Sequence, residues 1–228
     1  MCGRFASTTP PEAMAKLFGT VNAVPNGPAR WNVAPTQDVL TVRFNPKPRQ
    51  RSLDLLRWGL IPHWAKDASM GNKLVNARAE GIADKPAFRD AIRRRRCLIP
   101  ADAFYEWRPG AEPKAPKQPY AIQMADGRPF AIAGLWENWK DPEGHWLRTC
   151  TIITTAANEL VARLHDRMPV ILAPADYGRW LGDEPAEPGD VLGLLRPYPT
   201  DLMTAYPVSR EVSNVRNEGP QLLEPIGR

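Results

Sequence analysis

The chain has 228 residues, a 43% apolar fraction and a formal charge of +5, enough for a real core and compatible with a polyanionic partner without requiring one. Three cysteines (Cys2, Cys97, Cys150) and three scattered histidines exclude a disulfide framework and a spaced zinc motif, so no metal and no organic cofactor are expected. No signal-peptide core and no apolar run of membrane-spanning length is present, which points to a cytoplasmic, reducing setting and no membrane partner.

The chain opens Met1-Cys2-Gly3-Arg4-Phe5. Trimming of the initiator methionine, common before a small side chain, leaves an α-amine and a thiol on one residue. Such an aminothiol condenses with an aldehyde to an imine, and the thiol closes a five-membered thiazolidine intramolecularly. The amine titrates near ~8 and a free thiol near ~8.5, so both react near neutrality. The competing reading is an incidental buried cysteine.

Thr9-Pro10-Pro11-Glu12 predicts a helix start with Thr9 as N-cap and Pro10 at the first helical position, and Gly19 its end. Residues 37–44 and 52–60 read as strands about the Asn45-Pro46-Lys47-Pro48 turn, and a helix is expected near 86–95. An apolar strand pair follows, around Cys97–Pro100 and Ala103–Trp107. Residues 119–125 and 129–136 flank Asp126-Gly127, a hairpin signal. A strand at 148–154 and short helices at 156–164, 174–181 and 188–195 complete the pattern, with an irregular tail after about 215. The 25 prolines are spread evenly, at about twice average usage, and no linker divides the chain. Dominant strands with short interspersed helices predict one α+β domain over 1–228, with a curved, barrel-like, mixed or antiparallel sheet.

Four islands place reactive groups among apolar residues: Cys2-Gly3-Arg4, Asn76–Glu80, Phe104–Trp107 and His165–Val170. By strand alternation Phe104 and Glu106 share a face, so Glu106 is either a rim carboxylate or a site acid whose pKa its apolar neighbours raise toward neutrality. His165, after Leu160, Val161 and Leu164, reads either as a helix-end histidine or as an acid–base group. Arg4, Arg78 and Arg167 each adjoin an island and suit phosphodiester contacts. Trp64 suits base stacking or a wedge, with a core tryptophan as the alternative. The run Arg93–Arg96 reads as a solvated helix end or as part of a phosphate-binding surface.

These islands, with Trp31–Thr36, Arg57–Pro62, Arg96–Pro100 and Ala133–Trp136, resemble in order the SRAP family, the abasic-site-sensing proteins also termed SOS response-associated peptidases. The run Ala101-Asp102-Ala103-Phe104 departs from the family in lacking the glycine that often precedes the phenylalanine. The resemblance implies a barrel-like domain that binds single-stranded DNA at abasic sites, acts as a monomer and associates with the nucleoid when on DNA. It implies a thiazolidine crosslink through Cys2, with Asn76, Glu106 and His165 in positioning and acid–base roles. Arg4, Asn32, Trp64, Arg78 and Arg167 are the expected DNA contacts. An imine intermediate also permits lyase chemistry. Two rivals stand: a thiol peptidase with Cys2 as nucleophile and His165 as base, and a non-covalent reader of modified bases.

Overall fold

The computed structural model of the protein describes residues 2–110, 112 and 115–227. Its first strands are β1 (Phe5–Ser7), β2 (Arg30–Val33), β3 (Asp38–Asn45), β4 (Gln50–Trp58) and β5 (Asn76–Arg78). Then come β6 (Arg96–Ala101), β7 (Ala103–Arg108), β8 (Gln118–Met124), β9 (Phe130–Lys140) and β10 (Trp146–Ala156). The last are β11 (Arg167–Pro169), β12 (Ile171–Leu172) and β13 (Met203–Pro207). The α-helices are short: α1 (Pro11–Phe18), α2 (Arg89–Arg94), α3 (Glu159–Ala162), α4 (Tyr177–Leu181) and α5 (Pro188–Gly193).

Five strands close on themselves. β4 pairs with β3, β3 with β6, β6 with β9 and β9 with β10, all antiparallel. β10 then meets β4 in parallel, at Thr149↔Arg57 and Cys150↔Trp58. Closure leaves no open edge along these junctions. A second, antiparallel sheet runs in the order β13-β8-β7-β1-β2.

Alternation sorts the side chains into three cores. One parity of the barrel strands (Leu56, Trp58, Cys97, Ile99, Cys150, Ile152) packs with Cys2, Phe5, Phe104 and Ile122 of the second sheet region. The other parity (Val42, Leu53, Leu98, Ala133, Leu135) is covered by Met14, Phe18, Ile92, Trp180 and Val191 from the helices. The outer face of the second sheet, with Ala6, Tyr105 and Ala121, is sealed by Val208, Val212 and Leu222 of the C-terminal segment. The tail after 215 is thus a cover, with Leu222 fully buried and Val208 bridged to Pro225.

β3, β4 and the turn between them lie within a residue or two of where the pattern predicts them, and Gly19 ends α1 in the left-handed conformation. Pairing differs in two places. β6 and β7 do not pair: β6 belongs to the barrel, β7 to the second sheet, and Asp102 makes the crossing. The Asp126-Gly127 turn forms, with Gly127 N–H donating to the Met124 carbonyl at 3.0 Å, but β8 and β9 do not form a hairpin. β8 takes β13 and β7 as partners, and β9 takes β6, β10 and β12, because turn chemistry specifies a reversal and burial of each face specifies the partner. Thr9 does not cap α1. Its hydroxyl donates to Asp102 Oδ1 at 2.5 Å, while the amides of Thr8 and Thr9 donate to Oδ2.

One backbone contact positions the rest of the site. β4 leaves β10 at Gly59, and β5 takes over the same edge of β10, from Ile152↔Asn76 to Thr154↔Arg78. The intervening loop doubles back so tightly that a Cβ on Gly59 would lie 2.6 Å from the Gly71 carbonyl oxygen, and one on Gly71 2.7 Å from that of Gly59. Gly59 also sits at φ +134°, where an L side chain is strained. Gly59→Ala is therefore predicted to cost about 2–5 kcal/mol from overpacking and backbone strain together. Chemical denaturation checks this against Gly27→Ala, whose Cβ meets nothing within 4 Å and which is predicted to be neutral.

Candidate active site and nucleic-acid interface

Cys2 lies three residues before β1 begins, with no exposed surface, in the core it shares with Phe5, Trp58, Phe104, Cys150 and Ile152. Two bonds hold the backbone around it. Asn76 Nδ2 donates to the Cys2 carbonyl at 2.8 Å, and the Tyr105 amide donates to the Arg4 carbonyl at 3.0 Å. The Asn76 Oδ1 is buried and accepts no hydrogen bond among the described residues. Burial, reinforced by the Glu106 carboxylate, pushes the Cys2 thiol well above its ordinary pKa. At neutral pH it is a protonated thiol.

Glu106 lies on β7, opposite Tyr120 of β8 and on the face of Phe104, and only 3% of it is exposed. Burial raises its carboxyl pKa to about 7, with Asp166 adding to the rise and Lys117 opposing it. A carboxyl poised there is part acid and part base at neutrality.

His165 follows α3, its amide donating to the Val161 carbonyl at 2.9 Å. Its Nδ1 faces the Arg167 N–H at 3.0 Å and Asp166 Oδ1 at 2.8 Å. These contacts demand opposite protonation, since Nδ1 accepts from the amide but must donate to the carboxylate. Burial lowers the His165 pKa, which favours the neutral ring, so the amide contact describes the resting state and the ring proton then sits on Nε2. The Asp166 side chain is 85% exposed and free to swing away.

The arginines divide by engagement. Arg4 Nη1 donates to Asn32 Oδ1 at 2.7 Å and to the Val212 carbonyl at 2.6 Å, and its guanidinium lies 5.7 Å from the Trp107 ring centre. Asn32 is itself fully buried, its Nδ2 donating to the carbonyls of Val212, Asn214 and Asn217. It ties the C-terminal segment to β2 and aims Arg4. Arg167 on β11 grips both oxygens of Glu80, at 2.8 and 2.9 Å, and its Nη2 also donates to the Thr154 carbonyl. That grip lowers the Glu80 pKa. Arg78 is exposed on β5, two residues beyond Asn76 and so on the same face. With β5 and β11 on either side of β10, Arg78 and Arg167 flank one strand.

Trp64 is 50% exposed. Its loop is pinned by the Ile61 amide on Thr149 Oγ1 at 2.9 Å and by Trp139 Nε1 on the Ala65 carbonyl at 2.8 Å. The structure thus brings Asn76 onto the Cys2 carbonyl, Glu106 within electrostatic reach of the Cys2 thiol and Asp166, next to His165, within reach of Glu106, places Arg78 and Arg167 on the strands that flank β10, and sets Asn32 behind Arg4. Sequence reasoning did not single out Lys117 and Glu80. Glu80 is paired with Arg167 across 87 positions, and Lys117 lies in a proline-rich stretch without a motif. Among the described residues no group of three or more His, Cys, Asp or Glu is placed to hold a metal ion, and no helix is long and apolar enough to cross a membrane.

Several known proteins match this chain over nearly its whole length. The chain is 45% identical over 226 residues to the abasic site processing protein YoqW of Bacillus subtilis (strain 168), covering 98% of this chain and 99% of that protein. It is 31% identical over 236 residues to the abasic site processing protein YedK of Escherichia coli (strain K12), covering 99% and 100%. A crystal structure of a Bacteroides thetaiotaomicron protein superposes with a TM-score of 0.87 at 25% identity, over 98% of this chain and 99% of that one. The family described as SOS response associated peptidase matches residues 1–215, and the chain belongs to that SRAP family.

Proposed function

We propose that the protein captures abasic sites in single-stranded DNA as a covalent thiazolidine on Cys2, once removal of Met1 has freed the α-amine. The observation that carries this reading is a fully buried Cys2 whose thiol feels the charge of the buried Glu106, with the Cys2 carbonyl fixed by Asn76 at 2.8 Å. An aminothiol, a carboxyl near pKa 7 and a positioning amide are the groups that aldehyde condensation needs.

The steps balance without a cofactor. His165 moves a proton during opening of the deoxyribose ring, exposing the C1′ aldehyde. The Cys2 amine adds to C1′ and gives a carbinolamine. Protonated Glu106 donates to its hydroxyl, water leaves and an imine forms. The Cys2 sulfur then adds to C1′ as its proton passes through Glu106 to the nitrogen. One water is lost overall. The imine also permits β-elimination, with which ring closure competes, so any lyase activity belongs to the same intermediate. Arg78 contacts a flanking phosphate, Arg167 joins it by sharing or exchanging Glu80, Arg4 is aimed by Asn32, and Trp64 stacks on a base. Related proteins named for abasic site processing support the substrate.

The thiol state weighs against a peptidase. A peptidase nucleophile needs a depressed thiol pKa, and burial moves Cys2 the other way. The protonated thiol suits an order in which the amine attacks first.

Glu106→Gln is predicted to slow adduct formation by roughly 10²–10⁴-fold, the range for a positioned general acid or base. The pH profile carries the sign. Dehydration needs protonated Glu106, so the wild-type rate falls as pH rises through about 7. The variant should lack that falling limb. Adduct formation on an abasic oligonucleotide, followed by denaturing electrophoresis across this pH range, checks both, and an unchanged rate in folded Glu106→Gln removes Glu106 from the mechanism.

Cys2→Ala, trimmed of Met1, keeps the amine and loses the thiol. It is predicted to give an adduct that survives denaturation only after borohydride reduction, whereas wild type gives one that survives without it. A form that retains Met1 should give neither. Efficient crosslinking by the Met1-retaining form would end the aminothiol mechanism.

A further inference from the structure

The basic run at the end of α2 takes no part in the site above, and the structure divides it. Arg96 turns inward, donating from Nε to the Trp180 carbonyl and from Nη1 to the carbonyls of Ile92 and Arg93. Arg95 Nη2 is paired with Glu137 Oε2 at 2.8 Å. Arg93 and Arg94 are exposed, and with Arg95, Asp90 and His63 they line a cavity of about 330 Å³.

Glu137 is the joint of this hollow. It lies on β9, only 4% exposed, and its Oε2 meets both Arg95 and His63 Nδ1, the latter at 3.3 Å. Its Oε1 accepts the Asn138 amide at 3.1 Å. One buried carboxylate therefore fixes the helix end and the loop that carries Trp64, and it is consumed in doing so. What remains facing the hollow is cationic: Arg93, Arg94 and the charge that Arg95 shares, against the single carboxylate of Asp90. A helix C-terminus alone favours cations, but it does not explain why His63 and a half-exposed indole are built onto the same support. Glu137 pairs with Thr149 on β10, and Asn76 with Ile152 of the same strand. Those two partners lie three residues apart on β10, with Glu137 on one side of the strand and Asn76 on the other.

We propose that this hollow seats a backbone phosphate of the DNA strand as it runs past Trp64, a second anchor outside the pocket of Cys2. The inference rests on the reading of the protein as a single-stranded DNA binder. Guanidinium groups and an adjacent exposed indole are the pairing by which single strands are held without sequence preference: charge on the backbone, stacking on a base.

The test uses the full chain with Arg93→Ser/Arg94→Ser, and Arg93→Lys/Arg94→Lys as the charge-keeping control. The probe is an undamaged single-stranded oligonucleotide long enough to pass both Cys2 and the hollow. Its affinity is measured at several salt concentrations. The Ser variant should lose about 0.7–1.4 from the slope of log affinity against log salt, one to two phosphate contacts. The Lys variant should keep the wild-type slope. Adduct formation at saturating abasic DNA should be unchanged in both, since neither residue touches Cys2. A wild-type slope in the Ser variant overturns the proposal and leaves the run as a solvated helix end. So does equal loss in the Lys variant, or tight binding of an acidic peptide with none of DNA. If no form makes an adduct but the slopes still differ as stated, the covalent reading fails and this anchor stands.

Discussion

A carboxyl group with almost no exposed surface, close enough to a fully buried thiol to raise its pKa, is the constraint from which the proposed chemistry follows. Water would hold Glu106 ionised near its ordinary value of 4.5, and burial lifts it to about 7. The same burial keeps Cys2 a protonated thiol. Neither shift needs a metal or a special hydrogen bond. Both come from laying the second sheet on the barrel so that one face of β7 and the segment leading into β1 are enclosed together. An enclosed site of this kind favours steps in which protons move between neighbouring groups over steps that create an isolated charge.

Strand β10 carries that arrangement. It pairs with β4, β5, β9 and β11, so it closes the barrel, presents Asn76 and Arg78 on one edge and Arg167 on the other, and aligns the loop of Trp64 through Thr149. The parallel change of partner from β4 to β5 depends on the Gly59–Gly71 approach. Stability and site geometry therefore meet at two glycines that bear no chemistry, and a side chain at either one would move Asn76.

Much of this was legible along the chain because period and chemistry coincide locally. Alternation in Phe104-Tyr105-Glu106-Trp107 placed Glu106 with Phe104, and the two faces do enter different cores. The Gly19 stop and the β3–β4 turn needed only short-range rules. What was not legible is long-range choice. Asp126-Gly127 dictates a reversal but not that β8 and β9 part into different sheets. Thr9 looked like a cap until Asp102, distant in sequence, offered its carboxylate. Asn32 looked like a contact residue, yet it reaches the carbonyls of a segment some 180 positions away. His63 belongs to no motif in the sequence, and its partner is Glu137, 74 positions on. In each case a polar group found its partner through the topology, which no local pattern encodes.

The central claim is that a single residue supplies both bonds to the lesion. The most direct measurement is peptide mass spectrometry of the adduct formed with abasic single-stranded DNA, after treatment under denaturing conditions with a thiol-alkylating reagent. The account predicts an adduct mass of protein plus DNA less one water, with Cys2 not alkylated while Cys97 and Cys150 are, because the nitrogen and sulfur of Cys2 are both bound to C1′. An adduct whose Cys2 thiol still alkylates would contradict it.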